Sequence, residues 1–252
     1  FGSASFDSTA DVTLTSSQAS ARMGTSVAGV GDVNGDGFAD VLVGAAEYDA
    51  GQTDEGSAFL YLGGASFNTG TDAQYQSDQA GAKLGSHVAA AGDVNGDGYS
   101  DVLVGAPFFD DGQTDEGAAF VYFGGLGSID TVADAAYQGD ANNIQLGARG
   151  AGMGDVDGDG FGDIVVAAPL FANGEANEGR VHVYLGSRTG LAATPFATLE
   201  GNRINGRMGS GLALIDSADP TLSFMAEIGF ALVMFVAGTH VPLRHPAMLS
   251  GL

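Results

Sequence analysis

One nine-residue pattern occurs three times in this chain and constrains its fold more than any other feature. It has Asp at positions one, five and nine, Asn or Asp at position three, and Gly at positions four and six; the copies are residues 32–40, 93–101 and 155–163. The glycines permit a tight backbone bend, because only glycine adopts positive φ without steric cost. Four oxygen-bearing side chains on such a bend suit a hard cation such as Ca²⁺.

The residues after each copy indicate the type of loop. An EF-hand continues into a helix and carries Glu at position twelve, whereas here position twelve is Val43, Val104 or Val166. Each valine lies in an aliphatic, β-branched run that is typical of a strand. We therefore predict hairpins that bind calcium, each closed by the Asp at position nine. An Asx-rich turn without a metal is the alternative.

The predicted calcium ligands are positions one, three, five, seven and nine of each loop, and they would hold about three ions per chain. They are Asp32, Asn34, Asp36, Phe38 and Asp40; Asp93, Asn95, Asp97, Tyr99 and Asp101; and Asp155, Asp157, Asp159, Phe161 and Asp163.

The loops mark an internal repeat, because the copies begin 61 and 62 residues apart. Each period holds four strand signals: a small-residue segment before the loop, the apolar run after it, a third run that ends in Tyr, and a weaker fourth. Four short antiparallel strands per repeat predict the blades of an all-β propeller. The repeats are predicted at 23–83, 84–145 and 146–207.

The two ends of the sequence match the repeat only in part. Residues 1–22 are predicted to hold the outer strand of a preceding blade, at 11–15, and a linker. Residues 208–252 read as a degenerate fourth repeat and tail whose metal site is lost, because residues 216–220 do not form the loop pattern. The apolar run 228–236 is too short to span a bilayer, so we expect no membrane insertion.

Charge and composition exclude several functions. The net charge is -23 with only eight Lys and Arg, which argues against nucleic acid as a partner. There is no Cys, so disulfides and thiolate metal sites are excluded. The four histidines lack the spacing of a zinc hydrolase, and no Gly-x-Ser-x-Gly elbow occurs. We therefore expect a non-catalytic protein.

Two further repeated features have simple structural explanations beside functional ones. Acidic turns at 49–56, 110–117 and 172–179 are either a ring of acids offered to a partner or structural turns. Basic residues stand two positions before a repeated glycine, and we expect them to pair with acids of a neighbouring blade. They are Arg22, Lys83 and Arg207.

At these motifs the chain resembles the FG-GAP repeat of integrin α-chain propellers and their bacterial relatives. Gly105-Ala106-Pro107 matches the second half of the motif, and residues 44–46 and 167–169 each depart from it by one residue. Leu84-Gly85 and Leu146-Gly147 stand where the family has Phe-Gly. The resemblance covers residues 1–216. It implies calcium at the three loops, an extracellular or cell-surface location, and adhesion or binding to a protein, matrix or cell-surface ligand.

The family's propeller has seven blades, so three complete repeats with partial terminal ones imply an incomplete ring. We expect an open arc rather than a closed four-bladed ring, with apolar blade faces at its ends that allow self-association. Two other functions remain open. The chain could be the propeller portion of a larger secreted hydrolase, or a structural repeat array that assembles with copies of itself.

Overall fold

A computed structural model describes residues 10–127 and 129–211, and these residues form twelve β-strands. The strands are β1 (Met23–Gly31), β2 (Asp40–Ala45), β3 (Ser57–Tyr61), β4 (Ala73–Gln76), β5 (His87–Gly92), β6 (Asp101–Ala106), β7 (Ala118–Tyr122), β8 (Ala135–Gln138), β9 (Arg149–Gly154), β10 (Asp163–Ala168), β11 (Arg180–Tyr184) and β12 (Ala197–Glu200). In this part of the chain, no helix has the length and hydropathy needed to cross a membrane.

The strands form three four-stranded antiparallel sheets, each ordered as a simple meander. Blade 1 is β1-β2-β3-β4, blade 2 is β5-β6-β7-β8, and blade 3 is β9-β10-β11-β12. Each sheet lies within one predicted repeat, and the all-β propeller-blade architecture is confirmed. The second strand of each blade is almost wholly buried, because it is covered on both faces, as its continuous apolar sequence predicted.

Two apolar layers join the three blades. Between blades 1 and 2, the rings of Tyr75 and Tyr122 lie 4.2 Å apart in a buried cluster. Between blades 2 and 3, Tyr137 and Tyr184 form the equivalent pair at 3.8 Å. The first strands β1, β5 and β9 lie side by side. The small residues of these strands permit this close approach, so that the first strands form one continuous inner edge.

Glycines of successive blades meet at each junction. A Cβ atom added to Gly44 would lie 1.9 Å from the carbonyl oxygen of Gly85, and one added to Gly105 would lie 1.9 Å from that of Gly147. These distances are far shorter than any non-bonded contact, so only glycine fits. The glycine at the end of one second strand (Gly44 or Gly105) therefore contacts the glycine that begins the next repeat (Gly85 or Gly147). Both repeated glycines are needed for this one contact between neighbouring repeats.

The strand predicted at 11–15 is not formed. A strand requires a hydrogen-bonded neighbour, and no described strand pairs with this segment. Leu14 instead packs on the outer face of blade 1, beside Phe59 and Tyr61. It lies one period before Tyr75 and two before Tyr137, which pack against the next two blades in the same way. The segment therefore packs as an outer strand would, but it lacks the backbone hydrogen bonds to a neighbouring strand.

The end faces of the arc are less exposed than the sequence suggested. On blade 1, Phe59 and Tyr61 are buried beneath Leu14, Tyr48 and Phe67. On blade 3 the equivalent apolar side chains are buried as well; they are Val165, Val181 and Val183. Neighbouring segments therefore cover the end face of blade 1, and on blade 3 Met208 packs against the corresponding cluster. The fourth-repeat residues 212–252, with His240 and His245, lie outside the described residues.

Candidate metal centres

Each predicted calcium loop is the hairpin between the first two strands of a blade. Asp40, Asp101 and Asp163 are the first residues of β2, β6 and β10, and the strand register shifts beside each of them. Gly35 and Gly37 have φ of 77° and 87°, in the region that favours glycine. All three loops therefore lie at one edge of three consecutive blades, as strand-flanked hairpins.

The Asp at position one organises the turn. Asp32 Oδ1 accepts hydrogen bonds from the N–H groups of Gly35 at 2.7 Å and Asp36 at 3.1 Å, and Oδ2 accepts one from Gly37 at 2.7 Å. The other two loops repeat these bonds. Desolvation opposes ionisation of Asp32, but the backbone hydrogen bonds outweigh it and lower its pKa. The carboxylate is thus held ionised and oriented.

The third loop brings three carboxylates together. Asp155, Asp157 and Asp159 each offer an oxygen, and the three oxygens lie within 4.8 Å of one another at the protein surface. Like charges at this separation repel, and a cation between them would remove that repulsion. Oxygen ligands at such spacing match the preference of Ca²⁺ for six to eight oxygens at about 2.3–2.6 Å. The donor set therefore fits a hard cation.

The first two loops have an amide in place of one carboxylate. Asn34 Nδ2 donates to Asp36 Oδ2 at 3.1 Å, and Asn95 Nδ2 donates to Asp97 Oδ2 at 2.9 Å. The Oδ1 atoms of both asparagines accept the N–H of the residue at position five. The side chain at position three therefore lies beside position five in all three loops, because its Oδ1 accepts the N–H of position five in each. In the first two loops the amide also donates to the Asp at position five, and in the third the two carboxylates lie within 4.8 Å of each other.

The Asp at position nine is a buried brace. Asp101 Oδ2 accepts the N–H of Val94 at 2.8 Å, and Oδ1 accepts that of Gly124 at 2.8 Å. It thereby ties the loop to the segment that follows β7, and Asp40 and Asp163 do the same in their blades. Burial raises the pKa of Asp101 to about 7, with smaller contributions from neighbouring acids. Each carboxylate oxygen keeps a second lone pair, so bracing leaves ligand capacity.

Position seven is aromatic, and its ring packs against the preceding loop. A Cβ atom added to Gly35 would lie 2.3 Å from Tyr99 Cε1, and one added to Gly96 would lie 2.5 Å from Phe161 Cε1. Phe38 faces no preceding loop among the described residues, and it is 43% exposed. Only the backbone carbonyl of position seven is then left to serve as a ligand. The ligand role of all fifteen residues remains a prediction.

Sequence reasoning missed a buried glutamate in each acidic turn. Glu55, Glu116 and Glu178 are at most 2% exposed, and each Oε1 accepts the N–H five residues earlier, at 2.5, 2.7 and 2.6 Å. The turns follow the second strands, at the edge of the blades opposite the calcium loops. These glutamates hold the turns and are not offered to a partner. Their position directly before glycine in every copy was the available signal.

The repeated basic residues have different roles. Lys83, which lies between β4 and the first strand of blade 2, pairs with Glu47 of the neighbouring blade 1 at 3.1 Å, as predicted. Arg22, the residue before β1, contacts the same carboxylate at 3.0 Å, in the blade that it directly precedes. No ion pair of Arg207 is found among the described residues. A further pair that was not predicted joins blades 2 and 3: buried Arg180, stacked on Phe171, bonds to Asp140.

The two histidines in the described strands each bond to a neighbouring strand, His87 across the junction of blades 2 and 3 and His182 within blade 3. His87 Nε2 donates to the carbonyl oxygen of Gly150 at 2.6 Å, and His182 Nδ1 is hydrogen-bonded to Thr198 Oγ1 at 2.9 Å. Burial lowers the pKa of both, and that of His182 to about 4. Each imidazole is neutral at physiological pH and bonded to a neighbouring strand, so packing accounts for both residues.

Comparison with protein families matches three segments of the chain. Residues 23–61, 84–122 and 148–184 each match the FG-GAP repeat. The chain is an FG-GAP repeat protein. Each matched segment begins in the linker or first strand of a blade, includes the hairpin loop, and ends at the last residue of the third strand. Each matched segment therefore contains one candidate metal site, and the first two segments also contain the junction glycines Gly44, Gly85 and Gly105.

Curated relatives of this FG-GAP protein are integrin α chains. Integrin alpha-V of Gallus gallus is 37% identical over 187 residues, which cover 71% of this chain and 17% of that protein. Integrin alpha-4 of Xenopus laevis is 37% identical over 130 residues, covering 50% and 12%. The chain thus spans less than a fifth of these relatives.

Among solved structures, rhamnogalacturonan lyase YesW aligns with 69% of this chain and 34% of its own, at 15% identity and a TM-score of 0.45. We draw no inference from so low a likeness.

Proposed function

We propose that this FG-GAP protein is a calcium-dependent binding module of the cell surface or extracellular space, which holds a protein or matrix ligand without catalysing a reaction. One observation carries the calcium assignment. Three loops with Asp or Asn side chains at positions one, three, five and nine stand in phase at one edge of three consecutive blades, and in the third the carboxylate oxygens of three aspartates lie within 4.8 Å of one another. The kinship with integrin α chains supports the adhesive role.

Calcium would act on this chain by stabilising its blades. Each loop is short, glycine-containing and acidic, so without an ion its carboxylates repel one another. A ligand that binds only the folded state stabilises it by RT ln(1 + [L]/Kd), about 2.7 kcal/mol per site at a hundredfold excess over Kd. Because Asp40, Asp101 and Asp163 are both predicted ligands and the first residues of β2, β6 and β10, the bound ion would also stabilise the second strand of each blade.

Isothermal titration calorimetry tests the proposal directly. We expect about three calcium ions per chain and a melting temperature that falls when a chelator removes them. Asp97→Ala should leave two ions. The matched control is Asp111→Ala, which removes an exposed acid from the turn at the opposite edge of the same blade and should leave three. If wild-type protein takes up no calcium, the proposal is wrong.

The adhesive part needs a separate assay. The chain would be passed over immobilised extracellular-matrix proteins with calcium and then with chelator, in a surface plasmon resonance format. We expect retention on at least one matrix protein that is lost with chelator and weakened by Asp97→Ala but not by Asp111→Ala. Equal retention with and without calcium would contradict a calcium-dependent binding module.

A further inference from the structure

The three loops are not independent appendages, because each contacts the loop of the next blade. The N–H of Ser100, at position eight of the second loop, donates to the carbonyl oxygen of Asp32 in the first loop at 3.0 Å. The N–H of Gly162 in the third loop donates to the carbonyl oxygen of Asp93 in the second at 2.7 Å. In both cases, the acceptor residue is the position-one Asp that organises its own loop.

A second contact reinforces each link. The ring of Tyr99 covers Gly35 so closely that no Cβ would fit, and the ring of Phe161 covers Gly96 in the same way. The glycines concerned occupy position four, where the loop bends through positive φ. A ring seated there restricts the most flexible part of the preceding loop.

A third contact ties the same loops to the following blade. The carbonyl oxygen of Val33, at position two of the first loop, accepts the N–H of Gly125 at 2.9 Å. That of Val94 accepts the N–H of Ser187 at 3.0 Å. Gly125 is the neighbour of Gly124, whose N–H is held by the brace Asp101. The backbone of one loop is thus fixed by residues that the next site organises.

We propose that calcium binding at neighbouring loops is positively cooperative, with the position-seven rings and position-eight N–H groups as the coupling elements. This rests on the calcium sites of the proposed function. An ion in the second loop would fix residues 99–101, and these residues already hold Asp32 and Gly35 of the first loop. The first site then binds with less backbone entropy left to lose, which is a source of cooperativity without any large movement.

The geometry predicts a specific pattern of coupling. The second site contacts both others, whereas the first and third sites have no such contact with each other among the described residues. Silencing the second site by Asp97→Ala should weaken both remaining sites. Silencing the first by Asp36→Ala should weaken the second, leaving the third nearly unchanged. Because coupling is reciprocal, the first and second sites must affect each other's affinity by the same factor.

The critical variants change only the side chain of Tyr99 and keep its backbone carbonyl, the ligand atom that position seven offers. Tyr99→Ala removes the ring from Gly35, and we expect the affinity of the first site to fall by at least about fivefold, the lower end of typical couplings. Phe196→Ala is the control for the loss of an aromatic ring, because Phe196 is 66% exposed and lies outside the calcium loops, and it should leave the affinities unchanged. Tyr99→Phe, which keeps the ring, should retain the coupling.

Calcium titrations by calorimetry, checked against a competing chelator, measure these affinities. We expect a Hill coefficient above one for wild type and Tyr99→Phe, and a lower value for Tyr99→Ala. Should Tyr99→Ala fail to fold, the reciprocity of Asp36→Ala and Asp97→Ala decides the matter. Three ions bound at independent sites would overturn the coupling alone, whereas no uptake would overturn the calcium assignment and the coupling with it.

Discussion

Replacing Gly105 with alanine should open the junction between blades 2 and 3. The added Cβ would lie 1.9 Å from the carbonyl oxygen of Gly147, about 1.5 Å closer than van der Waals contact, and 3.0 Å from its carbonyl carbon. Both obstructing atoms belong to the backbone, so no side-chain rotation relieves the clash. Gly147 is also pressed against Ala118, where a Cβ would be 2.0 Å from the carbonyl oxygen. Relief therefore requires blade 3 to shift.

Overpacking of this kind costs about 1–3 kcal/mol, and we expect the upper end because only backbone can yield. For a chain of this size each kcal/mol lowers the melting temperature by about 2–4 °C, so Gly105→Ala should melt about 6–12 °C below wild type. Far-UV circular dichroism in saturating calcium measures this.

Gly51→Ala is the matched control for this substitution. No atom lies within 4 Å of its added Cβ, and its φ is ordinary, so it should be neutral or stabilise by up to about 1 kcal/mol. If Gly105→Ala melts with the control, the reasoning about the junction is wrong.

Three further outcomes follow from particular contacts. The folded pKa of His182 is lowered to about 4, so as the pH falls below 6.5 the unfolded chain takes up a proton before the folded one and the protein loses stability. His182→Phe, which introduces the residue found at the equivalent positions 59 and 120, should reduce this loss between pH 6.5 and 4 in thermal melts. Lys83→Met should cost less than about 1 kcal/mol in urea unfolding, since its ion pair with Glu47 is partly exposed. Glu116→Ala should cost about 1–3 kcal/mol in the same assay, because the N–H that its Oε1 accepts would lose its partner; an unchanged midpoint would contradict the structural role of that glutamate.

The repeat made most of this fold predictable. The loops at 32–40, 93–101 and 155–163 and the apolar runs after them keep one period, so strands β2, β6 and β10 and the hairpins before them could be read directly. Period and pattern act within a repeat, where neighbours in sequence are neighbours in space. The prediction of a strand at 11–15 was wrong for the same reason. The segment lies at the position in the repeat where an outer strand is expected, but a strand also needs a neighbouring strand to pair with, and the repeat pattern cannot show whether one is present.

The site was only partly predictable, because its burial and its links between blades depend on tertiary packing. Sequence alone predicted that Asp101 closes its loop as a ligand, but it did not indicate that the carboxylate is buried and accepts the N–H groups of Val94 and Gly124. An aromatic residue at position seven was visible in every copy. Its contact with the glycine of the preceding loop joins residues more than sixty positions apart, and no local pattern specifies such a contact.

One methyl group distinguishes the junction after blade 3 from the other two. Gly44 and Gly105 leave room for the carbonyl oxygen of the next repeat's glycine, but the equivalent residue of blade 3 is Ala167. A Cβ stands where that oxygen lies at the other junctions, so Gly209 cannot take the position of Gly85 and Gly147. A Cβ added to Gly209 would meet the Ala167 side chain at 2.5 Å rather than a backbone carbonyl. The repeated geometry is therefore broken by a residue within the third repeat itself, as well as by the altered sequence that follows it.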